Sequence, residues 1–446
     1  MKKILSLAAF AFMAISAMAQ VETPSGYNSK AFDLMNKSKF DEALELVKGD
    51  IQKINDDMKA AVEKAQAKGK EADLGKFNAK LAGLYNQAGV CENQIFNPEL
   101  MKAANNAPLD TAKFVSTLDR MVGNFTQSYI YDNTPNLKGK VSAKYNEKNV
   151  GAIESFLDYY FYAGIFLNQN GDKEGASVNF KKHLDLPNNP ALASKKDAIL
   201  EQKADNYAQT AYYGTLLNYE MKKWDEILAT VDAGLTNKEY NHDLYLIKSE
   251  AVMETTKDTL QYMEVLRDAV MKVDNNVEFA KTLIALYSDR NDTKNALALA
   301  DELIAKNPND VNAWYVKGSV NLNVVEDYAA ARECFEHVLA SDPSHVDANF
   351  NMAATYMNEV ADRVKAGEFK FLDKKTVSGQ KNVDAYKKEL ETFQGYYRNA
   401  KTYMEKVREL TPANSKKWAS PLQRIYFNLG MQEEADAMDD IMRSNH

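Results

Sequence analysis

The sequence predicts an all-α fold, an α-solenoid of antiparallel helix hairpins stacked one on the next, and three observations predict it. A pattern of small, aromatic and proline residues occurs twice between residues 277 and 343: Ala296, Ala300 and Pro308 recur as Ala331, Phe335 and Pro343, each after a step of 35 residues. Only ten prolines and nineteen glycines punctuate the 446 residues, so helices can run unbroken. Apolar residues return at three- and four-residue spacing, as at Phe114, Leu118 and Met121, which lines one face of a helix. A globular chain of this length would be divided into about three domains of ~150 residues. Repeats contact only their neighbours, so one continuous array accounts for the length instead.

The first element, Met1 to Ala19, reads as a secretory leader. Lys2 and Lys3 precede an apolar run from Ile4 to Ile15, and Ala17-Met18-Ala19 forms a small-x-small cleavage site before Gln20. That run has twelve residues, against about 20 for a bilayer span. No cysteine follows the cleavage site, which argues against a bacterial lipid anchor. The style of the leader is bacterial, so the periplasm is the expected destination, with full export as the lesser alternative. No later stretch is apolar enough to cross a bilayer, and no integral membrane segment is expected after cleavage. With 55 basic and 63 acidic residues the net charge is −8, and loss of Lys2 and Lys3 takes it to −10. Such a balance gives no electrostatic attraction to nucleic acid or anionic membrane.

After a polar lead-in, a first hairpin is predicted over Ser29 to Ile54. Ala31 and Leu34 lie on one helix, Phe40, Ala43 and Val47 on the other, and Asn36 to Lys39 make the turn. Met58 to Lys70, rich in alanine and lysine, is a solvated helical extension, because those residues favour helix but bury little. Residues 76 to 150 are less regular and hold one or two divergent hairpins. Phe77, Leu81 and Leu84 line one helix face, Asp110 caps the helix of Phe114, and Asp132 to Asn149 read as a loop. This N-terminal helical region, 20–150, precedes a repeat array over 151–344.

In the array, Gly164, Leu167, Gly171, Ala176, Phe180 and Leu184 mark a clear unit closed by Pro187 to Pro190. Small residues at Gly164 and Ala176 let the paired helices approach while Phe180 fills the space beside them. Weaker copies follow around Tyr213, Trp224, Val231 and Leu235, then around Ala269 and Val273 before Asp274 to Asn276. Beyond the two clear copies, Ala348, Met352, Ala353 and Tyr356 begin another first helix. The next good second helix carries Ala400, Met404 and Val407 and ends at Pro412, 69 residues past Pro343. One lengthened hairpin with an arm at about 367–410 explains this better than an extra repeat, since Asn382 to Leu410 reads as one helix. The C-terminal region, 345–446, closes with Trp418, Ile425, Gly430 and Ala435 in a capping hairpin, whose Glu433, Glu434, Asp436, Asp439 and Asp440 form a polar outer face.

Residue types that carry chemistry are present without the spacing chemistry needs. There is no HExxH, no G-x-S-x-G and no phosphate-cradling glycine loop. Asp289 to Thr293 resembles the start of a calcium loop, but Lys294 stands where glycine is required and Ala300 where a bidentate glutamate is required. Cys91 and Cys334 read as small buried residues: a linear stack separates them beyond the ~7 Å reach of a disulfide, and neither has a second ligand at metal spacing. No catalytic residue, metal or cofactor is expected. The aromatic clusters Tyr159-Tyr160-Phe161-Tyr162 and Tyr212-Tyr213 are divided between core packing and an exposed contact surface.

Trp314, Gly318 and Tyr287, together with the paired small, aromatic and proline positions, resemble the tetratricopeptide repeat, W-x₂-L-G-x₂-Y…A-x₃-F…P over about 34 residues. The resemblance is strong at 158–189 and 277–343, recognisable at 29–54 and 346–444, and weak elsewhere. It implies a right-handed superhelix whose concave face holds a protein or peptide. On the family's pattern the groove-facing positions are Lys281, Asp289, Asn312, Tyr315, Ser319, Asn323, Asp347 and Phe350. One branch of the family clamps a partner's terminal carboxylate with lysine and asparagine. Lys281 matches that clamp, whereas Ala285, Val316 and Asp347 depart from it, so the clamp's function is not carried over. The resemblance therefore implies a non-catalytic periplasmic adaptor or scaffold for a protein or peptide partner. A carbohydrate-binding receptor subunit of the envelope is the alternative, and an enzyme with its site within residues 58 to 150 is a third reading.

Overall fold

A computed structural model of the chain describes residues 24–105, 107–274, 276–372 and 379–444. The expected leader, Asn275, His446 and part of the expected loop of the C-terminal arm lie outside the described residues. Every regular element among the described residues is helical. They gather into two compact units, Met1–Thr255 and Thr256–His446, the boundary falling at the end of a helix.

Unit one begins with α1 (Ser29–Asn36) and α2 (Phe40–Gln66). Asn28 caps α1 by accepting from the Ala31 amide at 2.8 Å, and Ser38 takes the left-handed conformation that reverses the chain. Ala31, Phe32 and Met35 pack against Ala43, Leu44 and Val47 and onto Leu84, Ala88 and Cys91 of the next helix. The solvated extension is a direct continuation of α2.

The region that reads as least regular is built of long helices with a shared buried core. It comprises α3 (Gly75–Ala104), α4 (Thr111–Asn133) and α5 (Asn146–Ser155). Asp110 caps α4, accepting from the Lys113 amide at 2.9 Å. The loop expected over Asp132 to Asn149 is shorter, because Asn149 is buried within α5 and not in a turn. Its side chain serves a polar chain through the core: Tyr27 donates to Asn86 at 2.6 Å, Asn86 to Asn149 at 2.8 Å, Asn149 to Ser128 at 2.9 Å and Ser128 to the Ala82 carbonyl at 2.7 Å. Each buried polar group thus finds its partner on a neighbouring helix, which offsets the cost of burying it.

Then come α6 (Tyr159–Gln169), α7 (Lys173–Asp185), α8 (Lys196–Gln202), α9 (Ala204–Glu220), α10 (Trp224–Thr230) and α11 (Asn241–Thr256). The pair α6/α7 is the clear repeat. Bare Gly164 lets the ring of Phe180 lie against its backbone, and Asp172 caps α7 through the Gly175 amide at 2.8 Å.

Unit two comprises α12 (Thr259–Lys272), α13 (Val277–Asp289), α14 (Thr293–Lys306), α15 (Val311–Val320), α16 (Tyr328–Ser341), α17 (Val346–Lys365), α18 (Gln380–Leu410), α19 (Ser415–Leu429) and α20 (Gln432–Ser444). Asp289 to Thr293 form a repeat turn: Asn291 is left-handed and Asp292 caps α14 through the Asn295 amide. The caps of the first helices α13, α15 and α17 are Asn276, Asp310 and His345, at steps of 34 and 35 residues, while those of the second helices α14 and α16, Asp292 and Asp327, are 35 apart. The extra residue of the second copy therefore lies between Asp310 and Asp327. There α15 ends in a π-helical turn over Asn321–Val325, followed by left-handed Glu326, which is how a helix absorbs one inserted residue.

Helices α17 and α18 pack together as one long hairpin. At its far end Phe369 meets Phe393 edge-on at 5.8 Å, and the Phe371 amide donates to Glu389 at 2.6 Å, so the chain after α17 lies back against α18. Tyr397, Ala400, Met404 and Val407 of α18 share a core with Trp418, Leu422, Ile425 and Tyr426 of α19 and Ala435 and Met438 of α20. Glu433, Glu434, Asp436 and Asp440 are exposed on α20, the polar outer face that a terminal hairpin needs.

Candidate functional site

The first helices α13, α15, α17 and α19 of unit two bring a polar group together on one face. Asp347, at the start of α17, is ion-paired through one oxygen with Lys281 of α13 and through the other with Lys417 of α19. Burial works against its charge, but hydrogen bonds from Lys281 and then Lys417 outweigh that, and the carboxyl is held below its ordinary range. Burial likewise opposes the charge on Lys281, and the bond to Asp347 outweighs it. Each lysine also lies over a ring, Lys281 at 5.8 Å from the centroid of Tyr315 and Lys417 at 5.8 Å from that of Phe350.

Beneath the lysines, Tyr315 and Ser319 are buried and form the floor. Asn351 donates to the Tyr315 hydroxyl and the Ser319 hydroxyl, both at 3.4 Å. His345 stacks on Tyr315 at 5.2 Å while capping α17 through the Ala348 amide. Asn323 is at the edge, donating to the Ser319 carbonyl at 2.9 Å, and its own carbonyl accepts from Ser288. Of the eight positions the family pattern selects, Lys281, Tyr315, Ser319, Asn323, Asp347 and Phe350 join this group. Asp289, at the exposed end of α13, and Asn312, in the first turn of α15, stand outside it.

Sequence reasoning missed Lys417, Asn351 and His345. The signal for Lys417 lay in the lengthened hairpin: once α18 is the second helix of that hairpin, α19 is the next first helix after α17, and its first turn falls beside Asp347.

The aromatic clusters of unit one divide as the sequence left open. Tyr160 is buried, donating to Asp119 at 3.0 Å, and Tyr159 packs between Phe96 and Phe156. Phe161, Tyr212, Tyr213 and Tyr240 are half-buried. A second concavity in this unit, a trough of about 310 Å³ between α2, α3 and α4, is lined by Leu44, Ile51, Tyr85 and Ala88, with the Glu92–Arg120 pair at its side. Cys91 and Cys334 are buried free thiols, and burial pushes the Cys91 thiol up to about 12. Among the described residues there is no cluster of His, Cys, Asp or Glu able to hold a metal ion, and no helix long and apolar enough to cross a membrane.

No protein-family model matches the chain. A curated relative, the human protein O-mannosyl-transferase TMTC3, is 24% identical over 242 residues, covering 53% of this chain and 24% of its own length. The chain thus spans about a quarter of that relative. Among solved structures it is similar to a TPR repeats protein from Bacteroides fragilis NCTC 9343, 15% identical with a TM-score of 0.30, covering 64% of this chain and 98% of that one. It is similar also to yeast Tom70, at 15% identity and a TM-score of 0.30 over 93% and 81% of the two chains. The TPR2AB domain of yeast Sti1, solved with HSP90, gives 12% identity and a TM-score of 0.23 over 76% and 99%. The helix-hairpin architecture rests on the chain's own packing: the recurrent caps, the glycine–phenylalanine contacts and the pairing of successive helices.

Proposed function

We propose that the chain is a non-catalytic scaffold that holds a protein or peptide partner on the first-helix face of unit two, and that its leader delivers it to the periplasm. The observation that carries the reading is Asp347 held between Lys281 and Lys417 above Tyr315 and Phe350. Two cations, a carboxylate, an amide and the half-covered ring of Phe350 within one face offer a polypeptide both hydrogen bonds and apolar contact. A partner carboxylate can replace Asp347 on either lysine, and a partner cation can replace a lysine on Asp347, so the face exchanges internal ion pairs for intermolecular ones.

Crosslinking the full-length protein in its native envelope, followed by mass spectrometry of captured peptides, tests the reading. Crosslinks from one partner to residues of α13, α15, α17 or α19, lost in Asp347→Lys, support it. A lack of reproducible crosslinks to these four helices, crosslinks to them that survive that substitution unchanged, or retention on glycan with no protein partner, overturns it. The curated relative is named as a mannosyl-transferase. Transfer of mannose to a protein acceptor by the purified chain would overturn the non-catalytic part of the proposal.

A further inference from the structure

In unit one four aromatic side chains, from the first helices α6 and α9 and the residue just before α11, make a connected run. Phe161 of α6 stacks on Tyr213 of α9 at 6.3 Å, Tyr213 meets its neighbour Tyr212 at 5.8 Å, and Tyr212 stacks on Tyr240, just before α11, at 4.7 Å and 19°. All four are half-buried, so each keeps part of its ring at the surface. The run is bordered by carboxylates. Asp243, itself well exposed, accepts from the Tyr212 hydroxyl at 3.3 Å, and Glu239 immediately precedes Tyr240. Gln209 lies one turn before Tyr213, on the same helix.

Two features set this surface apart from ordinary packing between hairpins. Phe161 and Tyr213 pack inward onto the hairpin contact that Phe180, Ala176 and Leu217 close, and the run continues past it to Tyr212 and Tyr240. Two carboxylates also stand beside the rings, Asp243 with one oxygen at the Tyr212 hydroxyl and the other 3.4 Å from His242 Nδ1. Burial, followed by the charge of Asp243 and Glu239, pushes the Tyr212 hydroxyl up, and Glu239 acts in the same direction on Tyr213 and Tyr240. Ring faces are themselves sites of negative potential, and carboxylates at their border add to it. Elsewhere the protein fills such places with its own cations: Lys182 over Tyr160, Arg332 over Tyr356 at 4.7 Å, and Arg363 over Tyr396 at 5.4 Å.

We propose that the run Phe161–Tyr213–Tyr212–Tyr240 is a docking surface for a basic segment of a partner polypeptide, an arginine or lysine side chain lying along the tyrosine rings with its charge met by Asp243 and Glu239. The proposal shares with the preceding reading only that the partner is a polypeptide; the surface belongs to unit one and its test does not involve unit two. A neutral sugar can stack on the same rings but gains nothing from the two carboxylates' charge, and that difference separates the occupants experimentally.

The full-length protein is titrated with a fluorescein-labelled alternating Gly-Arg octapeptide, with the same peptide carrying citrulline in place of arginine, and with chitotetraose. Anisotropy reads the two labelled peptides, and intrinsic tyrosine fluorescence reads all three ligands. The arginine peptide should bind, the citrulline peptide should bind at least roughly tenfold more weakly, and paired Glu239→Gln/Asp243→Asn should weaken the arginine peptide by about tenfold. Tyr240→Leu should weaken it several-fold. The control pair Glu433→Gln/Glu434→Gln, which removes as much charge from an exposed face of unit two, should leave it unchanged. The proposal is overturned if the arginine peptide fails to bind, if citrulline is tolerated, if both charge pairs lose equally, or if chitotetraose alone perturbs the tyrosines. Glu239 and Asp243 are exposed, so the paired variant folds, and its melting temperature measured alongside verifies that.

Discussion

Gly318 and Phe335 fit together because Gly318 has no side chain: a Cβ built there would lie 2.6 Å from the ring. The same relation holds in unit one between Gly164 and Phe180, at 2.5 Å, so these two hairpins, α6/α7 and α15/α16, are closed by one steric device. Gly318→Ala should therefore destabilise the protein. Overpacking costs about 1–3 kcal/mol, of which the better helix propensity of alanine returns up to about 1 kcal/mol, leaving a net loss of about 1–2 kcal/mol. Gly123 lies in α4 with no neighbouring atom where its Cβ would stand, and Gly123→Ala should gain about 0.5–1 kcal/mol. Denaturant unfolding of the two variants measures both signs, and a stabilised Gly318→Ala would show that the ring is free to move aside.

Asp347→Asn separates stability from binding on unit two. The carboxylate and Lys417 are each about a quarter exposed and Lys281 about half, which limits each ion pair to ~0.2–1 kcal/mol. Its loss should lower stability by about 1 kcal/mol, since two lysines are left near one another without a counter-charge. The sign with pH follows from the lowered carboxyl: the contribution is complete above the ordinary carboxylate pKa and is lost as the pH falls through the lower folded value. A double-mutant cycle of Asp347→Asn with Lys417→Met should show coupling, and strict additivity would mean that Lys417 is not its partner in solution.

Much of this architecture was legible because hairpin repeats write their contacts locally. Ala296, Ala300, Ala331 and Phe335 are all buried at the positions their 35-residue recurrence indicated, and Asp110 caps the helix its side chain suggested. Legibility failed where a side chain's partner was distant in sequence. Asn149 looks like a turn former because its use, a hydrogen bond to Asn86 63 residues away, leaves no local trace. The candidate face was half legible for the same reason: a repeat pattern selects Lys281 and Asp347, but Lys417 joins them 70 residues on, after a hairpin whose length no periodicity announces.

His183 predicts a loss of stability on mild acidification. It is buried between α7 and α9, with Nδ1 at 2.8 Å from the Thr210 hydroxyl and its ring stacked on Tyr207 at 4.7 Å. The hydroxyl of Thr210 donates to the Asn206 carbonyl, so the imidazole Nδ1–H donates to its oxygen. Burial lowers the histidine's pKa; Asp158, with one oxygen 3.7 Å from Nε2, opposes this without reversing it, and Lys203 reinforces the lowering. The unfolded chain therefore takes up the proton first, and stability present above pH ~6.5 declines as the pH falls below it. Melting temperature should drop between pH 7 and pH 5 by more in the wild type than in His183→Gln. An equal slope in both would assign the acid sensitivity to another group.

Arg120 holds the one charge of the α2–α4 trough that is fully buried. Both oxygens of Glu92 accept from its guanidinium, at 2.6 Å from Nε and 3.1 Å from Nη2, and Nη2 also reaches the Thr117 hydroxyl at 3.1 Å. Glu92 has no exposed surface, while the arginine side chain is 46% exposed. The two partners are therefore unequal: removing the arginine strands a buried carboxylate, whereas neutralising the glutamate leaves an arginine that water can solvate. Stranding a buried charge costs about 3–5 kcal/mol in a closed interior, and access of water through the trough reduces that here to roughly 2–3 kcal/mol for Arg120→Ala. Arg120→Lys keeps the charge without the two-pronged geometry and should fall between it and the wild type. Glu92→Gln keeps the shape and one acceptor and should cost least, about 1 kcal/mol. The order Arg120→Ala, Arg120→Lys, Glu92→Gln in thermal stability is the measurement, and a Glu92→Gln variant less stable than Arg120→Ala would mean that the carboxylate is stabilised by something other than this arginine.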